Sequence, residues 1–298
     1  MSSFLSSFVS SFVSSWREYL ELCKPRVVLL MILTVLVGMY MSTDAKISWS
    51  LLLAANVGIA LAAASAAVIN HVVDEKIDRL MQRTQHRPMV SGSITPIAAM
   101  IFSSLLCCLG LAILFVWVNT LCALLTFISL IGYAFIYTSF LKQVTVQNIV
   151  IGGAAGAAPP LLGWVAVTNQ IDPGAWLLML IIFIWTPPHF WALAIHRLDD
   201  YAKAQVPMMP NRFGVSYTKL NIVLYTLLLL AVSVLPFAIH VSGLLYLIGA
   251  LVLGLIFLYY AIRLYYENNN SRWAIKTFRY SITYLMLLFI VMLIDHFF

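Results

Sequence analysis

Charge is scarce in this sequence. Of 298 residues, 9% are Asp, Glu, Lys or Arg and 62% are hydrophobic. A water-soluble domain carries about 25% charged and about 45–50% apolar residues, so the balance excludes an ordinary soluble fold. Short alternating strands are missing as well, which excludes a transmembrane barrel. There is no Walker loop, GxSxG or HExxH, so P-loop hydrolysis, serine acyl transfer and zincin chemistry find no support. The four cysteines, Cys23, Cys107, Cys108 and Cys122, form no CxxC or Cys/His pattern. Three lie within apolar runs, where a thiol behaves as a small apolar group, and none is assigned a redox or metal role. The apolar runs carry no acid or base deep within them until Asp295 at the end of the last. Ion-coupled transporters commonly hold such groups near the midplane.

What the chain has is apolar length. Nine runs, at 27–41, 51–69, 97–118, 121–137, 149–167, 175–195, 220–239, 244–264 and 278–294, are of the order needed to cross a bilayer as helices. The expected fold is an all-α polytopic membrane protein with nine transmembrane helices, which leaves no room for a separate soluble domain. The connections then sort by side. The N-terminus and the loops after runs 2, 4, 6 and 8 hold 16 of the 17 basic residues and eight acids, a net +8. The opposite side has Lys46 against Asp44, Asp172 and Asp295, a net −2. Basic residues stay inside, so the first side is cytoplasmic, or its equivalent in an organelle, and the overall +6 is a topology signal that needs no nucleic-acid partner.

At the N-terminus, Phe4, Phe8, Phe12 and Trp16 recur every fourth residue, one slowly rotating helix face of a segment lying in the membrane interface. Residues 1–23 are read as this segment and 24–298 as the transmembrane domain. There is no basic start or cleavage site of a signal peptide. The serine content and lack of early acids are also those of a transit peptide, but no arginine precedes Arg17. The compact chain points to a bacterial inner membrane.

Against this background, seven of the 28 charged residues fall within positions 69–88, INHVVDEKIDRLMQRTQHRP. Asn70, Asp74 and Asp78 are spaced i, i+4, i+8, so on a helix each step rises about 6 Å and turns about 40°, and the three share a face. Two carboxylates one turn apart with an amide behind them suit Mg²⁺, which takes one or two carboxylates, waters and substrate phosphate oxygens. The same spacing also fits a solvated helix end whose acids pair with Lys76, Arg79 and Arg83. Arg79, Arg83 and Arg87 follow at every fourth position. Their guanidinium forks match phosphate oxygens, and would equally face lipid head groups.

A second acidic cluster, HRLDDYAKA, places Arg197, Asp199, Asp200 and Lys203 beyond run 6, on the same side as the first. Tyr137 and Lys142 lie between runs 4 and 5, and Lys24 and Arg26 precede run 1. Pro187, Pro188 and His189 lie inside run 6, with His196 seven residues on. A proline pair frees backbone carbonyls and borders protein or a cavity more readily than lipid. The Gly152–Gly156 GxxxG pair reads as close helix packing. A polar mouth over an apolar bundle suits a substrate with an anionic diphosphate head and a hydrocarbon tail. Ionising an allylic diphosphate needs no protein nucleophile, only neutralisation of the leaving group by Mg²⁺ and cations. Tyr133, Tyr137 and Phe140 could shelter the allylic cation, although most aromatics in such a chain pack or anchor.

The stretch NHVVDEKIDRLMQRTQHRP resembles the first Asp-rich motif, N-x-x-x-D-x-x-x-D, of the UbiA superfamily of intramembrane prenyltransferases. More narrowly, DRLMQRTQHRPMVSG, YTSFLKQVTVQNIVIGGAAGAAPPLLGW, WTPPHFWALAIHRLDDY and VPMMP are similar to its heme O synthase branch. The likeness runs from Lys24 to the last span. It implies nine helices around a central cavity, farnesyl diphosphate as donor, heme B (protoheme IX) as acceptor, and Mg²⁺. It implies that Asn70, Asp74 and Asp78 bind Mg²⁺–diphosphate, that Asp199 and Asp200 form the second acidic motif, and that Arg83, Arg87, Lys142 and Arg197 hold phosphate or propionate oxygens. His189 and His196 become candidate heme contacts, with His71 behind them. The product would pass to a heme A synthase or a terminal oxidase. The superfamily's second D-x-x-x-D is not reproduced, because Lys203 and Ala204 stand at the fourth positions on. Two rivals stay open: a UbiA-type enzyme with another acceptor, and a transporter or heme-handling protein without chemistry.

Overall fold

The computed structural model describes residues 15–81, 84–141, 145–203, 206–268 and 270–298. Phe4, Phe8 and Phe12 of the expected N-terminal face, and the candidates Arg83 and Lys142, lie outside the described residues. The side chain of Phe140 does too.

The described chain is helical throughout. A short helix α1 (Ser15–Leu22) meets α2 (Pro25–Met41) at a 47° bend. Lys24 at the joint takes a left-handed conformation with φ 50°, and Pro25 starts the next helix where its missing N–H costs nothing. Trp16 and Leu20 face outward, whereas Tyr19 and Leu22 are buried. Helix α3 (Trp49–Asp78) begins at Ser48, whose hydroxyl accepts from the Leu51 N–H. Its 30 residues span about 45 Å, more than the roughly 30 Å of hydrocarbon, so its last turns emerge carrying Asp74 and Asp78. After the single turn α4 (Pro88–Ser91), Thr95 caps α5 (Pro96–Trp117) through the Ala98 N–H. Asn119 caps α6 (Thr120–Ile131) through the Cys122 N–H.

From Gly132 to Leu141 the same span widens into a π-helix, a distortion that nothing in the apolar run at 121–137 suggests. The fifth span is broken at Ala158 into α7 (Asn148–Ala157) and α8 (Pro159–Thr168). Helix α9 (Pro173–His196) runs unbroken through Pro187 and Pro188, and both prolines are buried in protein. The short α10 (Leu198–Lys203) and α11 (Met209–Phe213) lead to α12 (Val215–Ala238), α13 (Leu244–Tyr266) and α14 (Asn270–Phe297). Among the described residues seven helices are long and apolar enough to cross a membrane, and the bent α1–α2 pair makes an eighth. The expected fourth span is the shorter α6 with its π-helical continuation, so all nine runs are accounted for.

Helices α3 and α5 pair closely, as do α2 and α8, while α9 packs on α12 and α14. Small residues permit this. A Cβ at Gly38 would overlap the Pro160 carbonyl, and one at Gly163 the Val35 carbonyl, so α2 and α8 touch backbone to backbone, as small residues allow between membrane helices. The core is continuous in one half of the bundle, where Met39, Ile59, Leu114, Leu178, Leu229 and Phe257 join in a single cluster. In the other half it divides into three. The end of α3 is the divider. Val68 and Val72 join the cluster of Tyr19 and Leu22, Ile69 and Val73 that of Leu130 and Ala134, and Ile77 that of Trp191 and Tyr201. At about 100° per residue, the arc left over belongs to Asn70, His71, Asp74 and Asp78. The helix ends that the charge asymmetry assigns to one side therefore share one end of the bundle.

Candidate functional site

Asn70, Asp74 and Asp78 project from this arc and are all buried, at 3–5% exposure. Each has a polar partner close by. Asn70 donates to Asp74 Oδ2 at 2.8 Å and accepts from Lys24 Nζ at 2.5 Å. Asp78 Oδ2 takes a 2.6 Å ion pair from Arg87. Lys24 reaches Asn70 because the left-handed joint between α1 and α2 turns that residue toward α3. Opposite, the π-helical segment brings Thr138, which is fully buried, within 3.4 Å of Asn70 Nδ2. Tyr133 and Tyr137 stack with ring centroids 5.5 Å apart. Tyr133 stands within electrostatic reach of Asp74 and Arg87, and Tyr137 within reach of Asp74 and of Tyr201 on α10.

Arg79 and Arg87 do not continue the acidic face. Helix α3 ends at Asp78, so the every-fourth-residue register stops there. Arg79 turns out and pairs with Glu75 at 2.6 Å, with more than half its side chain exposed. Arg87 returns instead through a turn closed by Thr84, whose hydroxyl donates to the Asp78 carbonyl at 2.8 Å. Thr84 has no signal in the sequence, since a threonine in a polar loop is unremarkable until its partner is known.

The second cluster lies at the same end of the bundle. Met81, just past α3, packs in one cluster with Trp191, Ile195 and Tyr201. Asp199 is exposed on α10, and Asp200 is 3.6 Å from Arg197. Among the described residues no three His, Cys, Asp or Glu side chains form a group able to hold a metal ion by themselves. The two acidic clusters are thus not a ready-made five-ligand cage, because α10 is a separate helix beyond the end of α9. The donor set on α3 still fits a hard cation: two carboxylates one turn apart and an amide oxygen, the remaining positions falling to water and phosphate. Arg26 is exposed and, with Arg17, Glu21 and Lys24, lines a groove of about 580 Å³ at the α1–α2 bend.

His189 is engaged in packing. Its Nδ1 is 2.7 Å from Ser281 Oγ, and its ring stacks on Trp185 at 4.3 Å and on Phe278 at 4.5 Å. Trp185 donates to the Ser281 carbonyl at 2.7 Å, so the WTPPH stretch ties α9 to α14. His196 is half-buried at the end of α9. Of the GxxxG pair, Gly152 allows close packing, making room for the Tyr137 ring of the π-helical segment, whereas Gly156 faces open space.

A helical intramembrane bundle whose core parts around buried oxygen donors and cations defines an enzyme scaffold for a lipid-like, anionic substrate. The UbiA prenyltransferase family matches residues 31–283, and the chain belongs to that family. It is 60% identical to a protoheme IX farnesyltransferase of Marinobacter nauticus over 95% of this chain and 93% of the relative. Among solved structures it is similar to digeranylgeranylglyceryl phosphate synthase, with a TM-score of 0.80 and 20% identity over 95% of this chain and 99% of that one. It is also similar to a UbiA homologue from Archaeoglobus fulgidus bound to DMAPP and Mg²⁺, with a TM-score of 0.66 and 17% identity over 92% and 99%. At those identities the two structures speak to the fold alone.

Proposed function

We propose that this chain transfers the farnesyl group of farnesyl diphosphate to a vinyl group of heme B, giving heme O and diphosphate. The observation that carries the donor half is the buried Asn70–Asp74–Asp78 stripe flanked by Lys24 and Arg87. The acceptor half is supported by the 60% identity to a protoheme IX farnesyltransferase. Asn70, Asp74 and Asp78 would hold Mg²⁺, and Asp199 and Asp200 would approach the same diphosphate from α10. When bound, the metal supplies Lewis-acid neutralisation of the leaving group. The chain's own part is to hold phosphate oxygens with Lys24, Arg87 and Arg197, joined by Arg83 and Lys142. Arg26, at the outer groove, would meet propionates or phosphates on their way in. Tyr133 and Tyr137 would face the allylic carbon and exclude water from it.

The C1–O bond of farnesyl diphosphate breaks, and its electron pair leaves with diphosphate. The vinyl π-pair forms the new C–C bond. One water adds its oxygen to the adjacent carbon and releases a proton. His196 would meet the acceptor, while His189 stiffens the α9–α14 seam. Residues 24–298 act as the prenyltransferase domain, with 1–23 as an interfacial segment at the cytoplasmic face of a bacterial inner membrane. The charge asymmetry supports that orientation, and a heme A synthase or terminal oxidase would take the product.

The test is incubation of the purified chain with farnesyl diphosphate and heme B, with Mg²⁺ or with EDTA, followed by chromatography. Heme O is expected only with the metal; its absence when all components are present overturns the reading. Gly152→Ala is expected to displace the Tyr137 ring and lower turnover about tenfold or more. Gly156→Ala, whose new methyl meets open space, is expected to leave turnover unchanged.

A further inference from the structure

We propose that His71 is the axial ligand through which the site holds the iron of its heme substrate. The inference rests on the reading of heme B as acceptor. His71 precedes Asp74 by three residues and Asp78 by seven, so it shares their helix face one turn further into the bundle. It is 2% exposed, and neither ring nitrogen has a hydrogen-bond partner among the described residues. A buried polar atom left unsatisfied is costly, and such an atom calls for an ordered water, an ion or a functional ligand. The charged groups that reach His71, Lys24 and Arg87, are committed to Asn70 and Asp78.

The contrast with His189 is chemical. That ring has one nitrogen bonded to Ser281 and both faces covered by Trp185 and Phe278. His71 alone of the two keeps both nitrogens available. A neutral imidazole nitrogen is the common protein donor to heme iron, and donating its lone pair moves no proton and changes no oxidation state. The placement also serves the reaction. The vinyl groups sit on the rim of the macrocycle, so an iron bound at His71 holds that rim beside the turn carrying Asp74, where the allylic diphosphate would be held. Iron ligation would then orient the acceptor, a positional gain in the sense of holding reactants in an attack geometry.

The experiment is a titration of the full-length protein in detergent with heme B, read by absorption of the ferric and dithionite-reduced forms, without farnesyl diphosphate. Wild type is expected to give a histidine-ligated spectrum. His71→Ala is expected to lose it, to raise the Kd for heme about tenfold, and to recover the spectrum on adding free imidazole. His189→Ala is expected to keep it. His71→Met retains bulk in an apolar side chain, and in that variant the spectrum should move toward thioether ligation. A wild-type spectrum in both His71 variants overturns the ligand assignment and leaves the heme-acceptor reading standing. No heme binding by the wild type overturns both.

Discussion

Asp74→Asn is expected to reduce heme O formation about a thousandfold, a barrier increase of about 4 kcal/mol, while the protein still folds. Asp74 sits at 3% exposure, midway along the stripe, with one oxygen held by Asn70. The substitution preserves size and the acceptor oxygen but removes the charge that a hard cation requires. The loss should fall on kcat and resist added Mg²⁺, because leaving-group neutralisation matters most in the transition state. Measuring product by chromatography across a magnesium series checks this. Activity within tenfold of wild type would remove Asp74 from the metal–diphosphate site.

The second large effect concerns stability and activity together. Arg87→Met is expected to destabilise the protein by about 3 kcal/mol, because it strands the Asp78 carboxylate. That carboxylate has 6% of its side chain exposed, and Arg87 is its 2.6 Å partner. Adding Asp78→Asn should return most of the lost stability, since a neutral amide needs no cation. The double variant should nevertheless make no heme O, having lost both a metal-side carboxylate and a phosphate-side fork. Thermal unfolding in detergent, with the product assay alongside, separates the two consequences. If Arg87→Met melts at the wild-type temperature, the ion pair is not holding the end of α3 together. If the double variant stays active, the pair is a structural clamp.

The membrane spans, their alternating sidedness and the common face of Asn70, Asp74 and Asp78 are readable from the chain because each depends on neighbours in sequence. Bilayer thickness sets the length of an apolar run, and 3.6 residues per turn sets which side chains align. Those constraints act locally, so the order of residues along one helix suffices. Other features depend on which helix lies against which. Arg87 reaches Asp78 only because α3 stops there and Thr84 closes the return. Gly152 matters because a π-helical turn from another span lays Tyr137 over it. The Nδ1 of His189 meets Ser281, 92 residues away in sequence. His71, inconspicuous beside the acids, is singled out by lacking such a partner among the described residues. Hydrogen-bond partners across helices are chosen by packing, and packing is a property of the assembled bundle that no single stretch of chain encodes.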